Sequence, residues 1–99
     1  MTIAFSDRIV ANDAVLINTF ADGESVLLNL DTEHYFGLNA TGSRMWERLT
    51  TEASVESAYA TLLDEFEGVE ADELRADLSA LVTELVAHRL AFVVETPDA

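Results

Sequence analysis

The sequence predicts an α+β domain, a three-stranded antiparallel meander followed by three helices. Two observations predict it. The first is a change of hydrophobic period in mid-chain. Val26, Leu28 and Leu30 alternate, and so do His34, Phe36 and Leu38, whereas from Asn39 onward apolar residues recur at helical spacing. The second is segregation. Strand-like stretches fill the first half and helix-like stretches the second, as a segregated α+β domain requires. With 99 residues, 49% of them hydrophobic, the chain reads as one domain with an ordered core over about residues 8–94.

The elements follow in order. Ile9-Val10 can pair briefly as a strand, and Asn12-Asp13 reads as a turn. Val15–Phe20 is rich in branched and aromatic residues and reads as the first strand of the meander. Asp22-Gly23 marks a hairpin turn, and Ser25–Leu30 is the partner strand. After the turn Asp31-Thr32-Glu33 comes the third strand, His34–Leu38. Asn39 or Thr41 can cap a helix over Ala40–Thr50 that buries Met45, Trp46 and Leu49. Ser54 caps a second helix, Val55–Phe66, and Gly68 follows it as a left-handed terminator. The third helix runs over Ala71–His88 with Leu74, Leu78, Leu81, Val82 and Leu85 as its apolar stripe. Phe92-Val93-Val94 can close as a short strand or a packed tail.

Composition excludes several functions. There are no cysteines, hence no disulfide framework, no thiol chemistry and no thiolate metal site. Nineteen acidic residues face five arginines, with no lysine, for a net charge of −14. Such a charge repels phosphates, so nucleic acid and anionic membranes are poor partners and basic peptides or basic protein surfaces are better ones. No run of about 18 apolar residues is present to span a membrane. The N-terminus lacks a basic region followed by an apolar block, so no secretory signal is predicted and the expected location is cytoplasmic.

No enzyme signature emerges. His34 and His88 lie on different elements. The four glycines are scattered and none precedes a lysine, so no phosphate loop exists. Ser43 sits inside a helix in Gly42-Ser43-Arg44, not in the Asp-Ser-Leu context of an acyl carrier. A winged DNA binder needs basic residues along its recognition helix, but the third helix presents Asp72, Glu73, Asp77 and Glu84 against Arg75. The expectation is a protein without chemistry or cofactor of its own.

The run Leu27-Leu28-Asn29-Leu30-Asp31, then Tyr35-Phe36-Gly37-Leu38-Asn39, then Gly42, Met45-Trp46 and Leu49 resembles the PqqD family. These small proteins or fused domains are precursor-peptide recognition elements of ribosomally made natural products. The shared pattern is an aliphatic strand ending in an acid, an aromatic pair leading into Leu-Asn, a nearby glycine and an apolar-Trp pair. The later helices match more loosely. The resemblance implies a winged helix-turn-helix-like fold that binds the leader segment of a precursor peptide and presents it to a modifying enzyme. That enzyme is a radical SAM protein in one branch of the family and a leader peptidase in the lasso-peptide branch.

The resemblance also implies where the leader sits: as a strand added to His34–Leu38, in a groove walled by the third helix. An edge strand offers unpaired N–H and C=O groups to a peptide, and Gly37 lets another backbone approach. The expected peptide-binding residues are therefore His34, Tyr35, Phe36, Gly37 and Leu38, with Leu74, Asp77, Leu78, Leu81, Val82 and Leu85 from the third helix. Several of these also suit the core: Phe36 and Leu38 on the strand, and Leu78, Leu81 and Leu85 on the helix. Tyr35, opposite in phase to Phe36, either lines the groove or is simply an exposed amphipathic residue. A competing expectation is an acidic scaffolding module that docks on a basic protein surface.

Overall fold

The computed structural model describes residues 4–94. Eight elements follow one another: β1 (Arg8–Ala11), β2 (Val15–Thr19), β3 (Ser25–Asn29), β4 (His34–Leu38), α1 (Ala40–Thr51), α2 (Val55–Glu65), α3 (Ala71–Ala87) and β5 (Ala91–Val94). Strands β2, β3 and β4 form an antiparallel sheet in that order, and β1 pairs with β5 in a separate two-stranded ribbon. The meander and the three helices lie where the sequence predicts them, with boundaries within one residue. The two short terminal stretches find each other, Ile9 opposite Val93 and Val10 opposite Phe92.

Local chemistry explains several of the boundaries. Asp22-Gly23 makes the β2–β3 turn, with Gly23 at φ 91°. Asn39, not Thr41, caps α1: its Oδ1 accepts from Gly42 N–H at 2.7 Å. Ser54 caps α2 by accepting from Ser57 N–H at 3.1 Å, and Gly68 lies at φ 76° beyond the end of that helix. The Arg44 guanidinium bonds Glu47 and Glu65, and Arg48 Nε donates to Glu65 Oε2 at 2.8 Å, which ties α1 to α2. Hydrogen bonds from Arg44, aided by the charge of both arginines, hold the Glu65 carboxyl below its usual range.

The core gathers one face of each helix under the meander: Met45, Trp46 and Leu49 from α1, Val55, Ala58 and Leu62 from α2, and Leu74, Leu78, Val82 and Leu85 from α3. The sheet contributes Leu27 and Leu38. On β3 the buried phase is Ser25, Leu27 and Asn29, while Val26 and Leu28 are half-buried and Leu30 is exposed. Alternation of large apolar residues points to the opposite phase. The polar pair goes inside because both side chains are satisfied there. Ser25 Oγ lies 2.6 Å from Ser43 Oγ. Asn29 Nδ2 donates to Arg89 C=O at 3.0 Å, and Asn29 Oδ1 accepts from the N–H groups of Asp31 and Thr32.

Candidate functional site

The sheet register fixes what β4 shows to its surroundings. Phe20 N–H donates to Glu24 C=O at 2.8 Å and Leu30 N–H to Ala14 C=O at 2.9 Å. In an antiparallel ladder, main-chain groups of successive residues point to alternate sides. From Glu24 to Leu30, the even residues of β3 therefore face β2, and Ser25, Leu27 and Asn29 face β4. Their partners there are Leu38, Phe36 and His34. The two residues between them, Tyr35 and Gly37, turn their N–H and C=O groups outward. No strand among the described residues lies beyond β4. The edge thus carries two donors and two acceptors aimed away from the sheet.

Side chains on β4 divide in the same way. Leu38 is buried and Phe36 half-buried against the core, on the helix side. Tyr35 is 75% exposed, on the outer face of the sheet. A Cβ placed on Gly37 would meet nothing within 4 Å, and its φ is not left-handed. The fold itself does not require glycine there.

The third helix reaches this edge through its C-terminal turn. The His88 ring packs on Phe36 with centroids 5.4 Å apart, and His88 Nε2 lies 3.2 Å from Glu84 Oε2. Steps of three and four residues place Leu81 and Asp77 on the same side of α3 as Glu84 and His88. Leu81 is half-buried; Asp77, Glu84 and His88 are exposed. Leu74, Leu78, Val82 and Leu85 are wholly enclosed in the core, so they support this wall from behind and present no side-chain surface of their own. Val82, expected to line the groove as well as to belong to the stripe, is buried with the stripe.

His88 and Asn29 are the two residues that sequence reasoning passed over. His88 reads as an ordinary helix-end residue, and its contact with β4 spans 52 positions. Asn29 sits in the quoted motif, but its tether to Arg89 depends on tertiary placement. Asn12 Nδ2 bonds the same Arg89 carbonyl at 2.8 Å. Together the two amides hold the end of α3 beside the β3–β4 hairpin.

The same structure has a second apolar surface. On the outer face of the sheet, Leu16, Phe20 and Tyr35 are exposed around the half-buried Val26 and Leu28. Among the described residues, no group of three His, Cys, Asp or Glu side chains converges to hold a metal ion, and no helix is long and apolar enough to cross a membrane.

A family model for coenzyme PQQ synthesis protein D (PqqD) matches residues 24–91, more than half of the chain. The chain belongs to the PqqD family. The matched stretch holds β3, β4 and all three helices. Two solved structures resemble this PqqD-family chain over most of its length. TbiB1, determined in complex with the TbiA(beta) leader peptide, is 31% identical, with a TM-score of 0.74 over 90% of this chain and 99% of that one. A lasso peptide synthetase B1, complexed with its leader peptide, is 27% identical, with a TM-score of 0.73 over 86% of this chain and 98% of that one. No curated protein sequence matches.

Proposed function

We propose that this PqqD-family chain is a non-catalytic adaptor. It binds the leader segment of a ribosomally made precursor peptide as a strand added to β4, and presents the peptide to a modifying enzyme. One observation carries the reading: β4 is an uncharged edge whose Tyr35 and Gly37 main-chain groups face outward beside α3, in a chain that resembles two leader-bound proteins. Backbone pairing supplies affinity with little sequence preference, and pockets for alternate side chains supply selectivity.

The binding surface comprises His34, Tyr35, Gly37 and the half-buried Phe36 on the strand, and Leu81, Glu84 and His88 on the helix, with Asp77 further along the same face. Leu38, Leu74, Leu78, Val82 and Leu85 act as its buried support. Likeness to a lasso peptide synthetase B1 favours a leader peptidase over a radical SAM protein as the receiving enzyme. Synthesis of the precursor on ribosomes puts the encounter in the cytoplasm.

A synthetic leader, from the precursor gene beside this one, tests the reading. Titrated into labelled protein, it is expected to shift amides of residues 33–39 and 81–88. Absence of binding at low salt, or shifts spread evenly over the molecule, sinks the proposal. An acidic scaffold would instead show affinity that collapses with salt and ignores β4.

A further inference from the structure

The sheet has two edges, and the second is built much like the first. Strand β2 lies at the border away from β4. The ladder that turns Tyr35 and Gly37 outward on β4 turns the main-chain groups of Ile17 and Thr19 outward on β2, since Asn18 and Leu16 are the residues that face Val26 and Leu28. Natural edges are commonly guarded by a charge, a proline or a bulge. Val15–Thr19 carries no charged residue and no proline, and it pairs residue for residue with β3.

Beneath this edge, on the helix side, is an open cavity of about 440 Å³. Ile17 and Thr19 of β2 line it together with Ser43, Arg44, Trp46 and Glu47 of α1. Ile17 is consequently 47% exposed although it points to the face that carries the core. A strand laid along β2 would drop one apolar side chain into this space.

Charge decides the occupant. Arg44 is already held by Glu47 and Glu65. Asp13 precedes the strand, and Asp22 and Glu24 follow it. Hydrogen bonding to Asp22 and repulsion from it raise the Glu24 carboxyl, a sign of crowded negative charge at that end. A second copy pairing antiparallel about Ile17 would set Asp13 against the Asp22 end of its partner, twice, between molecules of net charge −14. A segment with basic flanks meets the opposite situation.

We propose that β2 is a second strand-addition site, and that it takes an extended segment of the receiving enzyme with a central apolar residue flanked by Arg or Lys. The identity of the enzyme rests on the adaptor reading; the site and its chemistry do not. One continuous sheet would then hold the leader at β4 and the enzyme segment at β2, so neither displaces the other.

The probe is a capped heptapeptide of alternating Val and Thr, with a central Leu and Arg at both ends, titrated with and without leader. Expected are amide shifts at Val15–Thr19 and at the Trp46 indole, an affinity unchanged by leader, and at least about tenfold weaker binding in Ile17→Pro and in Thr19→Pro. Each proline removes only an outward N–H, and the thermal midpoint of each variant checks that the fold survives. A Glu-ended version of the peptide is expected not to bind. Shifts confined to Tyr35 and Gly37, equal binding by both peptides, or concentration-dependent dimers shifted at β2 without peptide each overturn the proposal. Tyr35→Pro separates the two readings: it is expected to weaken leader binding about tenfold or more and leave the Arg peptide bound.

Discussion

Strand β4 and helix α3 both carry apolar residues in a regular period, and the fold uses them in opposite ways. The stripe Leu74, Leu78, Val82 and Leu85 vanishes into the core. The strand keeps Leu38 and part of Phe36 for the core and leaves Tyr35 and Gly37 in the open. Side chains that stand out in a helix are mostly spent on stability, whereas the proposed binding groups of the strand are main-chain atoms that no residue type announces. Residues that make the fold and residues that make the site are therefore interleaved along a few positions, separable by mutation.

The largest effect should come from the helix. Leu78→Ala is expected to lose about 2–5 kcal/mol of stability, read by urea denaturation, while the folded fraction still binds leader. If folded Leu78→Ala protein binds as poorly as the edge variant below, the division is wrong. Tyr35→Pro comes next. It removes an outward N–H without touching the β3 ladder, so leader affinity should fall about tenfold or more with a thermal midpoint within a few degrees of wild type. Tyr35→Thr, which keeps the main chain, should lose much less, and calorimetry of the two variants separates backbone from side chain. His88→Ala gives up the Phe36 contact, worth about 0.5–1.5 kcal/mol; a loss of a few-fold in leader affinity, with faster amide exchange at residues 84–88, is expected.

The smallest effect sharpens the comparison from outside the site. Glu65 has a depressed pKa, so its stabilising contribution is complete above the ordinary carboxylate value of 4.5 and disappears as pH falls through the depressed one. Glu65→Gln should flatten the acid limb of the stability profile, followed by circular dichroism, and leave leader affinity at neutral pH unchanged.

Much of this architecture is legible in the chain because it is local. The turn at Asp22-Gly23, the caps at Asn39 and Ser54 and the stripe on α3 each depend on residues a few positions apart. Pairing of β1 with β5 is not legible, since two four-residue strands at least 80 positions apart carry no signal for each other. The phase of β3 misleads because Ser25 and Asn29 are polar yet buried, and only Ser43 and the Arg89 carbonyl make that tolerable. Exposure of Tyr35 follows from a period of two. The outward turn of its main chain needs the register across three strands, and the place of His88 needs the end of α3 to be docked.

That docking has a consequence. The carbonyl of Arg89, a residue at φ 58°, accepts both the Asn29 and the Asn12 amides, so a pair of hydrogen bonds positions the tip of α3 against the hairpin. The gap between strand and helix is thus gauged by bonds of nearly fixed length and insulated from the way the leucines interlock. On the proposed reading, residues lining that gap are free to drift toward new peptides while the spacer keeps its width, and a change of cargo need not begin with a change of core.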